Sequence, residues 1–154
     1  MPRNLNVFLG GFPAELPIFD SYRKSLSLSQ EFKMDLGLEV AAKMFLQRVA
    51  NQTQAQVFVA VHVRRMDYSV WLKAKVNGRL LSKLYFIEAM NAFRAKYRQN
   101  TVVFVLASDD KEWCRQMFAD VPDVVFTPKY QTLMKRGEFD MAILAQCNHS
   151  IIRY

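Results

Sequence analysis

An α/β fold, in which helices cover both faces of a parallel sheet, is predicted by three features of the sequence. Two runs are almost wholly apolar, residues 57–63 and 102–107, and both have the length of strands. Amphipathic segments of helical length alternate with these runs. Strands that are apolar on both faces are typical of parallel sheets buried between helices, and right-handed crossovers then give a Rossmann-like layer.

Two long helices are predicted from the spacing of their apolar residues. Residues 31–50 carry Leu36, Val40 and Met44 one helical turn apart, which indicates an amphipathic helix. Residues 82–98 also have an apolar stripe at helical spacing. The four members of that stripe are Phe86, Met90, Phe93 and Tyr97.

The remaining elements are shorter. Trp113 and Met117, four residues apart, indicate a short helix, and "VVF" at 124–126 indicates a strand. A last helix at 138–147 leads into the apolar "HSII". Residues 1–30 show no clear period and are predicted to form a loop-rich N-terminal segment. Residues 31–154 are then predicted to form one α/β domain.

The positive charge of the chain is concentrated in one window. The net charge is +7, and residues 64–98 hold nine Lys or Arg against two acids, which accounts for the whole excess. Such a patch suits an anionic partner, whether a nucleotide phosphate, a nucleic acid or a membrane surface, although a solvated helix face is the alternative. No stretch approaches the roughly 18 apolar residues of a membrane span, and no signal peptide is evident.

The cysteines and histidines indicate neither a disulfide framework nor a zinc site. The chain has two of each, Cys114, Cys147, His62 and His149, without the spacing of metal ligands. No metal and no cofactor is therefore expected. Acceptor patterns for N-glycosylation occur at Asn51 ("NQT") and Asn148 ("NHS") and matter only in a secretory lumen.

The best candidates for ligand binding follow the first apolar strand, in "HVRRMDY". Ligands of such sheets bind at the carboxyl ends of the strands, where Arg64 and Arg65 stand. A guanidinium can bind phosphate with two parallel hydrogen bonds, and the chain has no glycine-rich phosphate loop. If the strand persists, side chains alternate, so that His62 shares a face with Arg64. Arg65 would then pair with Asp67 or brace the loop.

A second polar group follows the second strand. Ser108, Asp109 and Asp110 suit helix capping, and a carboxylate there could also accept hydrogen bonds from a nucleobase edge or ribose hydroxyls. The two roles are compatible, because one cap suffices. His149 is expected to be a structural hydrogen-bonding residue, since no Ser/His/Asp triad surrounds it.

Three ordered motifs resemble those of the alpha-1,2-fucosyltransferases, glycosyltransferase family 11. They are "HVRRMDY" (62–68), "SDDKEWC" (108–114) and "DMAILAQCNHSI" (140–151). The resemblance implies a GT-B-type, inverting, metal-independent enzyme, of which this chain is the donor-binding half. Such enzymes transfer L-fucose from GDP-fucose to the 2-hydroxyl of a terminal galactose on glycoproteins or glycolipids. Family members are Golgi membrane proteins whose catalytic domain is luminal, and the membrane would be met only through an anchor that this chain lacks.

The resemblance also implies roles for individual residues. Arg64 is expected to neutralise the diphosphate as charge builds on the departing GDP. The resemblance does not identify the catalytic base, for which Asp67 is the candidate within this sequence. The other residues expected to bind the donor are His62, Arg65, Ser108, Asp109, Asp110, Asn148 and His149.

The chain departs from the family pattern at three points, of which the first is a short N-terminal portion that is expected to leave little room for an acceptor-binding domain. Met66 stands where glycine is common, which predicts strain if the backbone there needs a positive φ. The chain stops soon after Ile152, where the family continues, so the domain is expected to be incomplete at its C-terminus. Two alternatives to a transferase stay open: an inactive GDP-sugar-binding fragment or paralogue, and a nucleic-acid-binding module on 64–98. No nucleic acid is expected, because the aromatic stripe there suits a core.

Overall fold

The computed structural model describes residues 33–128 and 136–152, and the fold is that of the unit Asp35–Tyr154. Along the chain the elements are α1 (Leu36–Thr53), β1 (Val57–Val63), α2 (Met66–Val76), α3 (Lys83–Lys96), β2 (Val102–Ser108), α4 (Lys111–Met117), β3 (Val124–Phe126), α5 (Arg136–Ala145) and β4 (His149–Ile151). Every predicted element is present, and α2 is an additional helix that was not predicted. The N-terminal segment predicted at 1–30 lies outside the described residues.

The four strands form one parallel sheet in the order β3-β2-β1-β4. β1 pairs with β2 along its whole length, from Val57 opposite Val102 to Val63 opposite Ser108. β4 lies on the other side of β1, and β3 on the outer side of β2. The predicted α/β class with a Rossmann-like parallel sheet is confirmed.

One face of the sheet forms the main apolar core with α3 and α4. Alternate side chains of β1 and β2 point to this face, where Phe86, Met90 and Cys114 cover them. Phe93 and Tyr97 are partly buried against the same cluster. The predicted stripe of α3 is therefore a core stripe, as the sequence indicated.

The opposite face is covered by α5, against which α1 packs. The buried residues of α1 are Ala42, Leu46 and Val49. The stripe that predicted this helix lies on the other side: Leu36, Val40 and Met44 are 73%, 48% and 62% exposed. The helix was correctly predicted and its buried face was not, because α1 carries apolar residues on two sides and periodicity cannot choose between them.

Met66 has none of the strain that a methionine at a glycine position predicts. It is the first residue of α2, and the non-glycine residues with positive φ in the described part of the chain are Gln54 and Asn77. Both of these end helices, at the C-caps of α1 and α2. The side chain of Met66 is exposed. The expected cost of a positive φ therefore does not arise.

Both thiols are expected to be unreactive in the native protein. Burial raises the pKa of Cys147 to about 12 and also raises the pKa of Cys114. At pH 8 a thiol with a raised pKa stays protonated, and the thiolate is the nucleophile. We expect negligible reaction with dithionitrobenzoate at pH 8 in buffer and two thiols per chain in denaturant. Rapid labelling of either cysteine in buffer would contradict the burial of these two thiols.

Candidate functional site

The carboxyl ends of β1 and β2 lie side by side and bring two polar turns together. Val63 pairs with Ser108, so Arg64 and Arg65 leave the sheet beside Asp109 and Asp110. This is the edge at which parallel α/β sheets bind ligands. Residues 44 positions apart in the chain thus meet in a single site.

Arg64 is paired with Asp67 at the mouth of this edge. Its Nε donates to Oδ1 at 3.2 Å and its Nη2 to Oδ2 at 2.7 Å, while the guanidinium lies 5.6 Å from the ring centroid of Tyr68. The side chain of Arg64 is 54% exposed, and Nη1 lies outside the pair. The edge of the guanidinium that carries Nη1 can therefore reach a ligand without breaking the ion pair.

The pairing of Arg64 changes the chemistry of Asp67. Hydrogen bonds from Arg64 lower the pKa of Asp67, and the same pair raises the pKa of Arg64. A carboxylate with a lowered pKa is a weaker base, so the geometry favours Asp67 as the residue that orients Arg64. Its role as catalytic base stays a prediction. The suggested pairing of Arg65 with Asp67 is wrong, because Asp67 is bound to Arg64.

Arg65 turns in the other direction and is held by the segment that follows β2. Its Nε donates to Oδ2 of Asp110 at 3.1 Å, and its guanidinium stacks 3.5 Å from the ring centroid of Trp113. The side chain is 21% exposed. β1 ends at Val63, so the strand alternation used to separate the two arginines does not extend to them, and both line one cavity.

The acidic residues after β2 cap two helices. Asp110 is the N-cap of α4 and accepts from the N–H of Trp113 at 3.2 Å, which confirms the predicted capping. Asp109 accepts from the N–H groups of Arg65 and Met66, at 2.9 and 3.1 Å, and so caps α2 from the neighbouring strand. Ser108 accepts from the N–H of Asp110. These bonds leave lone pairs free, so donor binding by the three residues stays a prediction.

Two cavities flank the site, and His62 lines both. The smaller, of about 330 Å³, is lined by both arginines and by Tyr68, together with Leu80, Leu81 and Phe86 from the other wall. The larger, of about 610 Å³, is mainly apolar and lies between the strand ends and α5. Its polar lining comes from His62, Ser108, Asp109 and Asp140. The site therefore offers two adjoining compartments with cationic side chains beside the smaller.

The buried Lys111 forms an ion pair with Asp140, which lines the larger cavity, and sequence reasoning missed this pair. Lys111 is buried, and its Nζ donates to Oγ1 of Thr127 at 3.0 Å and to the carbonyl of Pro128 at 3.2 Å. The carboxylate of Asp140 lies 3.4 Å from the same Nζ. In the sequence, Lys111 directly follows the acidic turn. Lysine is normally an exposed residue, so nothing at this position indicated that it would be buried.

Asn148 and His149 are not brought to this edge of the sheet. They stand where β4 begins, and His149 lies opposite Val59, in the first half of β1. The side chain of Asn148 accepts from the N–H of Phe58, and His149 hydrogen-bonds the hydroxyl of Tyr97. The expectation that His149 is a structural residue agrees with this contact. Donor binding by the pair is not supported by their placement.

The glycosylation patterns fall on two exposed asparagines. Asn51 lies in the last turn of α1, where its Oδ1 accepts from Gln47 at 3.1 Å, and Asn148 precedes β4. Modification of either asparagine stays a prediction.

Neither a metal-ligand cluster nor a membrane-spanning helix occurs in the part of the chain that the structure describes. In residues 33–128 and 136–152, no group of three or more His, Cys, Asp or Glu side chains is placed to hold a metal ion. No helix in the same ranges has both the length and the apolar character needed to cross a membrane. Independence from metals stays a prediction.

Comparison with known proteins gives one consistent result. The family model described as glycosyl transferase family 11 matches residues 3–154. Galactoside alpha-(1,2)-fucosyltransferase 1 of Saimiri sciureus is 35% identical over 148 residues, which are 94% of this chain and 39% of that protein. Galactoside 2-alpha-L-fucosyltransferase SEC1 of Bos taurus is 33% identical over 148 residues, 95% of this chain and 39% of that protein.

The same resemblance extends to Galactoside 2-alpha-L-fucosyltransferase Sec1 of Mus musculus, 33% identical over 144 residues, 92% of this chain and 38% of that protein. The chain thus spans about two fifths of the length of the curated relatives it matches. No solved structure matches it. The resemblance first seen in three motifs is confirmed over nearly the whole chain, and the chain belongs to glycosyltransferase family 11.

Proposed function

We propose that this chain is the donor-binding part of a galactoside 2-alpha-L-fucosyltransferase of the GT-B type. The bond between C1 of fucose and the β-phosphate oxygen of GDP-fucose breaks, and the 2-hydroxyl of a terminal galactose forms the new bond to C1 with inversion. The hydroxyl proton goes to a base, and GDP leaves. The proposal includes a galactose-terminated glycan as acceptor and a luminal position at the Golgi membrane.

The observation that carries the proposal is the placement of Arg64. Its guanidinium stands at the carboxyl edge of a parallel sheet, beside a cavity of about 330 Å³, with Nη1 outside its ion pair. A diphosphate bound there would gain charge-assisted hydrogen bonds that strengthen as negative charge builds on the leaving GDP. Arginine would thus supply the charge stabilisation that a divalent cation supplies in other transferases, so the proposed reaction needs no metal.

GDP and GDP-fucose are expected to raise the melting temperature of the chain. A ligand that binds only the folded state stabilises it by about 2.7 kcal/mol when its concentration is a hundred times its Kd. Thermal unfolding followed by circular dichroism, with GDP, GMP and guanosine compared at equal concentration, measures the effect. We expect GDP to give the largest shift, because it carries the second phosphate. The absence of a shift at millimolar GDP would count against a donor site.

A second candidate function is donor binding without transfer. It is favoured by the pairing of Asp67, the candidate base, with Arg64, because hydrogen bonds from Arg64 lower the pKa of that carboxylate. Transfer of radiolabelled fucose from GDP-fucose to lactose or N-acetyllactosamine separates the two functions. Binding with transfer supports the transferase, whereas binding without transfer supports the second candidate.

A further inference from the structure

Trp113 lies one layer behind the arginine pair, outside the residues that line the two cavities. It belongs to α4 and is partly buried against the core on the α3 side of the sheet. Its ring lies 3.5 Å from the guanidinium of Arg65, which is van der Waals stacking distance. Trp113 belongs to the motif at 108–114, but the sequence indicated for it only a place in a short helix and no role in the site.

Trp113, Asp110 and Arg65 form a closed ring of contacts. One oxygen of Asp110 accepts from the backbone N–H of Trp113 at 3.2 Å, and the other accepts from Nε of Arg65 at 3.1 Å. The tryptophan ring then covers the face of the same guanidinium. The hydrogen bond to Asp110 therefore holds the guanidinium of Arg65 within its own plane. The ring of Trp113 limits its movement perpendicular to that plane.

The contacts among Trp113, Asp110 and Arg65 fix the turn that carries Arg64. Arg65 is the N-cap of α2, and its N–H and that of Met66 both donate to Asp109. Arg64 has no comparable anchor, because it is half exposed and its partner Asp67 is itself on α2. The position of the Arg64 backbone is thus set by the contacts of its neighbour.

We infer that Trp113 and Arg65 are positioning residues, which hold the turn after β1 so that Arg64 meets the diphosphate of the donor. The inference rests on the proposed function for the identity of the ligand. It differs from direct binding by Arg65, whose Nε and guanidinium face are already occupied by Asp110 and Trp113. A site displaced by about 1 Å loses much of its binding and catalytic effect, so a contact one layer away can control affinity.

The test compares two substitutions on α4 in the full chain. Trp113→Leu removes the aromatic face, and Met117→Ala is the control, because Met117 packs against the same core one turn farther along the helix. Binding of GDP and of GMP is measured by titration calorimetry. We expect Trp113→Leu to weaken GDP binding about tenfold and to lower the preference for GDP over GMP. Met117→Ala is expected to change the affinity for GDP, and the preference for GDP over GMP, by no more than about twofold, even if it lowers the melting temperature.

Two further variants separate positioning from direct binding. Trp113→Phe keeps an aromatic face and is expected to restore most of the affinity for GDP. The double variant Arg65→Ala with Trp113→Leu is expected to bind GDP no more weakly than Arg65→Ala, because both changes remove the same contact. Additive losses would overturn the inference, since they would show that Arg65 contacts the donor independently of Trp113.

A measurement without ligand keeps this inference distinct from the proposed function. Hydrogen exchange of the peptide that spans residues 62–72 is expected to be about ten times faster in Trp113→Leu than in wild type, and unchanged in Met117→Ala. If wild type binds no GDP, the proposed function fails, and the exchange rates alone decide whether Trp113 holds the turn. Exchange and GDP affinity that both stay at the wild-type level in Trp113→Leu would overturn the inference.

Discussion

Replacing Arg64 by alanine is expected to weaken GDP binding by about a hundredfold and to remove the thermal shift. Hydrogen bonds to charged groups contribute about 1.5–3 kcal/mol each, and a guanidinium offers two to a phosphate. The loss of both is about 3 kcal/mol or more, which corresponds to that ratio of affinities. Titration calorimetry with GDP measures it. The fold is expected to survive, because the side chain is half exposed and its pair with Asp67 lies at the surface.

Two control variants test whether GDP binding depends on the geometry of the Arg64 guanidinium or on its charge alone. Arg64→Lys keeps the positive charge but loses the planar fork, so an intermediate loss of about tenfold is expected. Lys73→Ala removes an equal charge from an exposed position on α2 and is expected to leave GDP binding nearly unchanged. If Lys73→Ala weakens GDP binding as much as Arg64→Ala does, the positive charge of residues 64–98 attracts GDP from no fixed position. The site assigned to Arg64 is then wrong.

The sheet was predictable because its strands are marked by their own composition. Residues 57–63 and 102–107 are apolar on both faces, and this pattern alone indicates strands buried between two layers. The parallel arrangement followed from the helices between the strands. The predicted ligand edge followed in turn, since parallel strands place their carboxyl ends together.

The additional helix α2 could not be predicted in the same way. Leu72 is its one buried residue, so no apolar stripe marks it. Its first N–H groups are capped by Asp109, more than 40 residues later in the chain. A cap from a distant strand leaves no local signature, whereas Asp110 caps the helix that directly follows it and was predicted.

Register explains why Asn148 and His149 fall outside the site. The motif that contains them suggested a position near the donor, but the structure pairs His149 with Val59 and not with the end of β1. A parallel strand places its first residues at the far edge of the sheet from its last residues. The parallel direction puts the carboxyl end of β4, and not its first residues, toward the ligand edge, and the register that sets His149 opposite Val59 is seen only in the folded structure.

Replacing Phe104 by alanine is expected to cause the largest loss of stability. Its side chain is 0% exposed in the centre of β2, and large-to-small changes at such positions cost about 3–5 kcal/mol. The guanidinium of Arg94 lies 5.0 Å from its ring centroid, so a cation–π contact is also lost. Natural domains are stable by about 5–15 kcal/mol, so the variant is expected to keep little of its stability.

Phe126→Ala is the matched control for this change. Phe126 is a partly buried phenylalanine on the edge strand β3, opposite Leu106 of β2, so its removal leaves a space that solvent can reach. Urea unfolding followed by circular dichroism is expected to show a loss less than about half that of Phe104→Ala. Equal losses would mean that β2 is not the centre of the core. The register that joins Ser108 to Val63, and with it the assembly of the two polar turns, would then be in doubt.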